Sequence, residues 1–239
     1  MNNRKGIILA GGKGTRFFPV TKGLSKHFLP IYDKPMIYYS LSTLMLADIK
    51  EILLISTPRD LKLFKELLGD GSYFGIKIEY LSQPNPDGIA QAFILAEDFL
   101  DGSPSVLILG DNFFYGEGLQ KRLVEASTRE KGATIILCRV KDPQRYGIAE
   151  FDSNDNLISL TEKPINPKSD FAVTGIYFFD DKAPIFAKDL QPSKRGEIEI
   201  TDLNKIYLKK KKLFIEKLGR GSTWLDAGTP DSLLEASHF

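Results

Sequence analysis

Apolar segments short enough to be strands alternate with segments of helical periodicity through the first 140 residues, and this alternation leaves few architectures open. Strands are predicted over 7–10, 51–56, 76–81, 106–109 and 133–140, with helices over 35–47, 60–68, 88–100 and 119–130. Repeated strand–helix–strand units with largely continuous apolar strands imply a mostly parallel sheet covered by helices on both faces. After Lys141 the alternation loosens. Strands are expected over 147–151, 157–162, 173–179, 213–217 and 223–225, and helices over 183–190 and 200–211. A last helix starts at Pro230, with Leu233 and Leu234 facing inward. The expected fold is a Rossmann-like α/β domain spanning 1–239, whose second half, from about 141, adds a smaller lobe to a first half of about 1–140.

The first strand runs directly into a glycine turn, Ile7-Ile-Leu-Ala-Gly-Gly-Lys-Gly-Thr-Arg16. Gly11, Gly12 and Gly14 let backbone N–H groups close on phosphate oxygens, because glycine tolerates positive φ and holds nothing off. Arg16 adds a planar cation suited to bidentate phosphate contact. The turn matches neither G-x-G-x-x-G nor the P-loop pattern. The first mismatch argues against a nicotinamide dehydrogenase.

Composition narrows the class. An apolar fraction of 42%, a charged fraction of 26% and a formal net charge of +1 are those of an ordinary soluble protein. Near-neutrality argues against a general nucleic-acid or membrane-surface binder. One cysteine, Cys138, excludes an internal disulfide, and with two histidines it cannot make a zinc site of the usual kind. No apolar run reaches the ~20 residues that span a bilayer, and the N-terminal apolar run is too short for a signal peptide, so a cytoplasmic location is expected. The basic run 209–212 reads as a solvated helix end.

Several segments carry candidate chemistry. Lys26, beyond the glycine turn, can fold back onto phosphates as a mobile charge. Asp111 ends an apolar strand, where ligands of open α/β sheets bind, and a hard oxygen ligand there suits Mg²⁺. Asp226, in Trp224-Leu-Asp226, repeats the pattern and is a candidate second carboxylate on the metal. Glu162 and Lys163 can take a sugar hydroxyl and a sugar phosphate. Gln83 and Gly88 flank a proline-rich loop whose amide and backbone groups can read a base edge. Taken singly, each also fits a bland role: a loop lysine, a turn-forming acid, an acid before a helix, a surface pair, a loop.

Taken in order, the segments resemble the sugar-phosphate nucleotidyltransferases. The likeness rests on Leu9–Arg16, 29–38, 68–71, 83–88, Leu109-Gly-Asp-Asn112, Arg145-Tyr-Gly147, Glu162-Lys-Pro164, 173–175, 196–202 and Trp224-Leu-Asp226, and it points to the thymidylyl branch. The resemblance implies a nucleotide site at Leu9, Gly11, Gly12, Gly14, Thr15, Arg16, Gln83, Gly88 and Asp111. It implies a sugar-phosphate site at Tyr146, Gly147, Glu162, Lys163 and Val173, with Mg²⁺ on Asp111 and Asp226. Arg16, Lys26 and Lys163 would be catalytic. The implied reaction joins dTTP and α-D-glucose 1-phosphate to give dTDP-glucose and pyrophosphate, a step towards dTDP-rhamnose. The same chemistry with UTP or with another sugar phosphate, or a non-catalytic nucleotide-sugar sensor, are the alternatives. A homo-oligomer, dimer or tetramer, is implied too, and the apolar helix at 36–47 with Phe113, Phe114 and Tyr115 would supply its surface. Longer members of the family continue past the position of Phe239 with a helical segment. The family pattern has glutamine where this chain has His27; a histidine there keeps a hydrogen-bonding edge and would respond to pH.

Overall fold

A computed structural model describes residues 3–12 and 14–239. Lys13, inside the glycine turn, lies outside the described residues. Strands β1 (Lys5–Leu9), β2 (Pro30–Ile31), β3 (Lys34–Pro35), β4 (Glu51–Ser56), β5 (Lys77–Ser82), β6 (Ser105–Leu109) and β7 (Asn112–Gly116) belong to the first half. They alternate with helices α1 (Ile37–Leu46), α2 (Pro58–Leu68), α3 (Gln91–Leu95), α4 (Glu97–Leu100) and α5 (Leu119–Thr128). The chain continues with β8 (Ala133–Arg139), β9 (Gly147–Phe151), β10 (Leu157–Glu162), β11 (Phe171–Phe179), α6 (Ala183–Lys188), α7 (Ile200–Lys209), β12 (Leu213–Lys217), β13 (Ser222–Asp226) and α8 (Pro230–His238).

The main sheet is mixed. Its parallel part has the spatial order β5-β4-β1-β6, so chain connections leave β1 in opposite directions and create a switch point between β1 and β6. β11 joins this part to the rest by antiparallel pairing with β6, β8 and β9; β9 carries β10, and β8 carries β12 in parallel. The expected α/β fold with helices on both faces is observed, its parallel character concentrated in the first half.

Strand periodicity explains the two faces. Ile8, Ile52, Leu54, Val106 and Ile108 turn to one side, under α1, α2 and α5. Their neighbours Ile7, Leu53, Ile55 and Leu107 turn to the other, under α3, α4, α6 and α7. Side chains on successive strand residues point to opposite faces, so a strand covered on both sides must be apolar throughout. Phe64 of α2 is fully buried and stacks on Phe28 with centroids 4.5 Å apart, which braces the loop that carries Lys26. Truncating such a buried ring costs about 3–5 kcal/mol.

Some elements differ from expectation. The helix expected over 88–100 begins only at Gln91 and is interrupted at Ala96. Gly88 cannot be its start, because it has φ +113° and packs against the Ile198 backbone. Strand β7 was hidden in the aromatic run Asn112-Phe-Phe-Tyr115, and it forms a separate two-stranded ribbon with β13. Leu233 packs inward, but Leu234 is exposed. Most apolar side chains of α1, with Phe113 and Phe114, are packed into the chain's own core, leaving Leu46 and Tyr115 exposed, so little of the free apolar surface expected there remains.

Candidate active site

The parallel strands end along one edge, and the loops that follow converge there. The ladder continues past β1 and β6, where Gly110 N–H donates to Leu9 C=O at 3.0 Å, and past β4 and β5, where Gln83 N–H donates to Ser56 C=O at 2.8 Å. This brings Gly11, Gln83 and Asp111 to the same side of the sheet. Gly11 sits directly against Gln83: a Cβ built on it would lie 2.8 Å from Gln83 Oε1. Gly12 and Gly14 have φ of +99° and +58°, the backbone the glycine turn requires. Thr21 closes over Gly14, its hydroxyl donating to the Gly14 carbonyl at 2.7 Å.

The two aspartates meet through the β7–β13 ribbon. Asp226 is the register partner of Asn112, and the Ala227 N–H donates to the Asp111 carbonyl at 2.9 Å. A Cβ built on Gly228 would lie 2.7 Å from Asp226 Oδ1, 3.3 Å from Asp111 Oδ2 and 3.3 Å from Arg16 Nη1. Two carboxylates and a guanidinium thus converge on one point. Asn112 locks the arrangement. Its Nδ2 donates to Asp111 Oδ1 (3.1 Å), while its Oδ1 accepts from Gly175 N–H (3.0 Å) and Trp224 Nε1–H (2.5 Å). One buried amide therefore ties β7, β11 and β13 together. Gly175 permits the approach, since a Cβ there would lie 2.4 Å from Asn112 Oδ1.

Lys26 donates to Asp111 Oδ2. Its short helical turn, Lys26–Phe28, is pinned by His27, which is fully buried, shares a 2.9 Å hydrogen bond between Nδ1 and Ser25 Oγ, and packs under Gly110. Burial, reinforced by Lys26, holds the His27 imidazole down to about 3. His27 is thus neutral near physiological pH, and the expectation that it responds to pH there is not met. Burial works to raise the Asp111 carboxyl, but the charge and hydrogen bond of Lys26, with the Asn112 amide, act against it, and the carboxyl lies well below the usual carboxylate range. The Asp226 carboxyl is pushed up, first by burial and then by Asp111 beside it. Two hard oxygen donors, one destabilised by the other's charge, form a donor set that fits Mg²⁺ completed by phosphate and water. No group of three or more His, Cys, Asp or Glu side chains suited to a metal occurs among the described residues.

A cavity of about 490 Å³ opens from this point. Arg16, Asp111 and Asp226 lie on its wall with Tyr146, Gly147, Glu162, Lys163 and Val173, so eight residues singled out in the sequence are brought together. Leu9, Gly11, Gly12, Gly14, Thr15, Gln83 and Gly88 line no part of it. Leu9 ends β1, and Thr15 faces a second depression with Phe18, Thr21, Lys22 and Arg59. In the cavity, Glu162 accepts from the Thr201 hydroxyl and lies 3.7 Å from Arg195 and 3.9 Å from Lys163. Tyr146 packs edge-on against Trp224 at 5.1 Å, and burial pushes its hydroxyl up.

Sequence reasoning missed Asn112, Arg145, Thr201 and Arg195 as contributors. Arg145 lines the cavity 3.9 Å from Asp226, with its guanidinium over the Tyr146 ring at 5.4 Å. Its presence in Arg145-Tyr-Gly147 was a visible signal. Thr201 lay inside 196–202, one of the segments of the likeness, but without an assigned role, and Arg195 carried no signal; both reach Glu162 only through the packing of the chain around 195–201 against the end of β10.

Paired carboxylates at a switch point, surrounded by Arg16, Lys26, Arg145 and Lys163, suit an enzyme that brings two phosphate anions together, where positioning and charge supply most of the catalysis. The chain belongs to the nucleotidyl transferase family, whose profile matches residues 5–239. It is 57% identical over 239 residues to a glucose-1-phosphate thymidylyltransferase of Xanthomonas campestris pv. campestris, covering all of this chain and 81% of that protein. It is 49% identical to a glucose-1-phosphate thymidylyltransferase of Mycobacterium tuberculosis over 98% of this chain and 81% of the relative. Among solved structures, a putative glucose-1-phosphate thymidylyltransferase from Bacillus anthracis in complex with sucrose superposes with a TM-score of 0.91 at 42% identity, covering 98% of this chain and 94% of that one. A UDP-glucose pyrophosphorylase complexed with UDP-glucose shares the fold, with a TM-score of 0.85 at 22% identity over 98% and 97% of the two chains.

Proposed function

We propose that the chain is a glucose-1-phosphate thymidylyltransferase, joining dTTP and α-D-glucose 1-phosphate to give dTDP-glucose and pyrophosphate. The observation that carries this reading is the convergence of Asp111, Asp226 and Arg16 on one point at the wall of a cavity that also holds Glu162 and Lys163. It is supported by the relatives that bear this name over nearly the whole chain.

The glycine turn and Arg16 hold the triphosphate, with Gln83 and Gly88 at the base. Glu162 and the Gly147 backbone hold the sugar, and Lys163 holds its phosphate. Asp111 and Asp226 would hold Mg²⁺, which when bound offsets charge on the phosphate oxygens. A sugar phosphate dianion is already a nucleophile, so no general base is required. Its oxygen attacks the α-phosphorus in line, and the bond from that phosphorus to the bridging oxygen of pyrophosphate breaks. Lys26 is held by Asp111 until substrate arrives, then turns its ammonium to the α-phosphoryl oxygens. Arg16 steadies the departing pyrophosphate.

A homo-oligomer is part of this proposal. Its main support is an apolar groove that exposed Phe18, Val20 and Leu234 line with Leu29 and Leu233. A cytoplasmic setting is proposed likewise; no helix among the described residues is long and apolar enough to cross a membrane. Pyrophosphate release from each nucleoside triphosphate with glucose 1-phosphate and Mg²⁺ tests the activity. The expected result is a moderate preference for dTTP over UTP, since one methyl is worth roughly 10–200-fold. A purine triphosphate as best substrate, or binding without turnover, would refute it.

A further inference from the structure

The loop carrying Gln83 contains a relay of polar groups that fixes which end of the Gln83 amide faces the glycine turn. Gln91 Nε2 donates to Asp87 Oδ2 at 2.9 Å, and the Asp87 backbone N–H donates to Gln91 Oε1 at 3.3 Å. Gln91 Oε1 accepts in turn from Gln83 Nε2 at 2.6 Å. A carboxylate only accepts and a backbone N–H only donates, so two groups of fixed polarity leave the Gln91 amide a single orientation. Gln83 inherits it. Turning its amide over would set oxygen against oxygen at hydrogen-bond distance. Its nitrogen therefore faces Gln91, and its oxygen lies against Gly11. At 3% exposure Gln83 has little water with which to exchange the arrangement. The base of the relay is itself held: Ile198 N–H donates to Asp87 C=O at 2.7 Å, and Ala90 N–H donates to Ile198 C=O at 3.1 Å.

We propose that Asp87 and Gln91 are positioning residues that present the Gln83 carbonyl oxygen to the nucleobase and so select bases with an imide N–H on their pairing edge. Thymine and uracil carry that donor; cytosine has an acceptor in its place and meets an oxygen that cannot turn away. A site built to pair with a donor discriminates strongly against an analogue lacking it, because its buried acceptor is left unpaired. The inference rests on the reading above, in which Gln83 meets the base, and it assigns the selectivity to two residues behind Gln83.

The test measures equilibrium dissociation constants of dTTP and dCTP, with Mg²⁺ and without sugar phosphate, on the full chain, so that it does not depend on turnover. Gln91→Met keeps the side-chain length and removes the relay. The dTTP preference over dCTP is expected to fall at least tenfold. The double variant D87N/Q91E moves the charge but keeps the polarity, since the carboxylate now at position 91 can only accept and the amide now at position 87 can donate to it. It is expected to restore the preference to within about threefold of the native value, whereas Gln91→Glu alone, with two carboxylates in contact, is not. An unchanged preference in a folded Gln91→Met chain, or no rescue in the double variant, would overturn the relay. An unchanged preference in Gln83→Leu would overturn it together with the placing of the base at Gln83. Preserved selective binding in a chain without turnover would support the relay while refuting the proposed activity.

Discussion

The parallel and antiparallel parts of the sheet build their shares of the site in different ways. In β1, β4, β5 and β6 every strand stops at the same edge, and the candidate site residues begin where the strand ends: the glycine turn after β1, Gln83 after β5, Asp111 after β6. What these loops offer is largely backbone, cations and one acid, suited to phosphates. In β9, β10 and β11 the strands themselves form the wall, and Gly147, Glu162 and Val173 enter the cavity from within or at the ends of paired strands. A parallel bundle concentrates its strand ends into one charged edge. An antiparallel set presents side chains along its length, better suited to the many hydroxyls of a sugar.

The sharpest way to break this division is to remove a cation from the parallel edge. Lys26→Ala and Arg16→Ala should each lower turnover by roughly 10²–10³, the range for losing one preorganised charge-stabilising donor. Steady-state kinetics with both substrates saturating measures it, and near-native turnover would make that residue a bystander. Next comes the antiparallel wall. Glu162→Ala should raise KM for glucose 1-phosphate by about 10–100-fold, as expected for a hydrogen bond to a charged group, with a smaller change in kcat. An equal rise in KM for dTTP would mean that the two parts do not divide the substrates.

Gly88→Ala tests the junction between the parts. The residue has φ +113°, and a Cβ would lie 2.4 Å from the Ile198 carbonyl oxygen. Destabilisation of at least about 1–3 kcal/mol is expected, read from urea unfolding. Near neutral pH the smallest effect concerns His27. Its pKa falls from 6.5 to about 3 on folding, so between these values the unfolded chain binds the extra proton. Stability from this group is complete above about pH 6.5 and is lost as pH drops towards 3. His27→Gln should flatten the fall in stability across that window and leave it little changed at pH 7.5. An identical pH dependence in the two chains would show that His27 is not buried neutral.

Much of the parallel half was determined by the sequence itself. A strand covered on both faces must be apolar at every position, so 7–10 and 106–109 stood out, and glycines with positive φ marked the turn without any tertiary information. Strand periodicity in 147–151 and 157–162 was equally local. Tertiary structure alone decided the rest. The aromatic run after Asp111 could be read as core or surface until β13 paired with it, and only that pairing set Asp226 beside Asp111. His27 looked titratable because burial is a property of what packs over a residue, here Gly110 and Phe64. Arg195 and Thr201 reach Glu162 across more than thirty residues of chain, a proximity created by packing that no local pattern records. The polarity of the Gln83 amide followed the same rule: the residue type is in the sequence, but the direction in which it points is set by its neighbours in space.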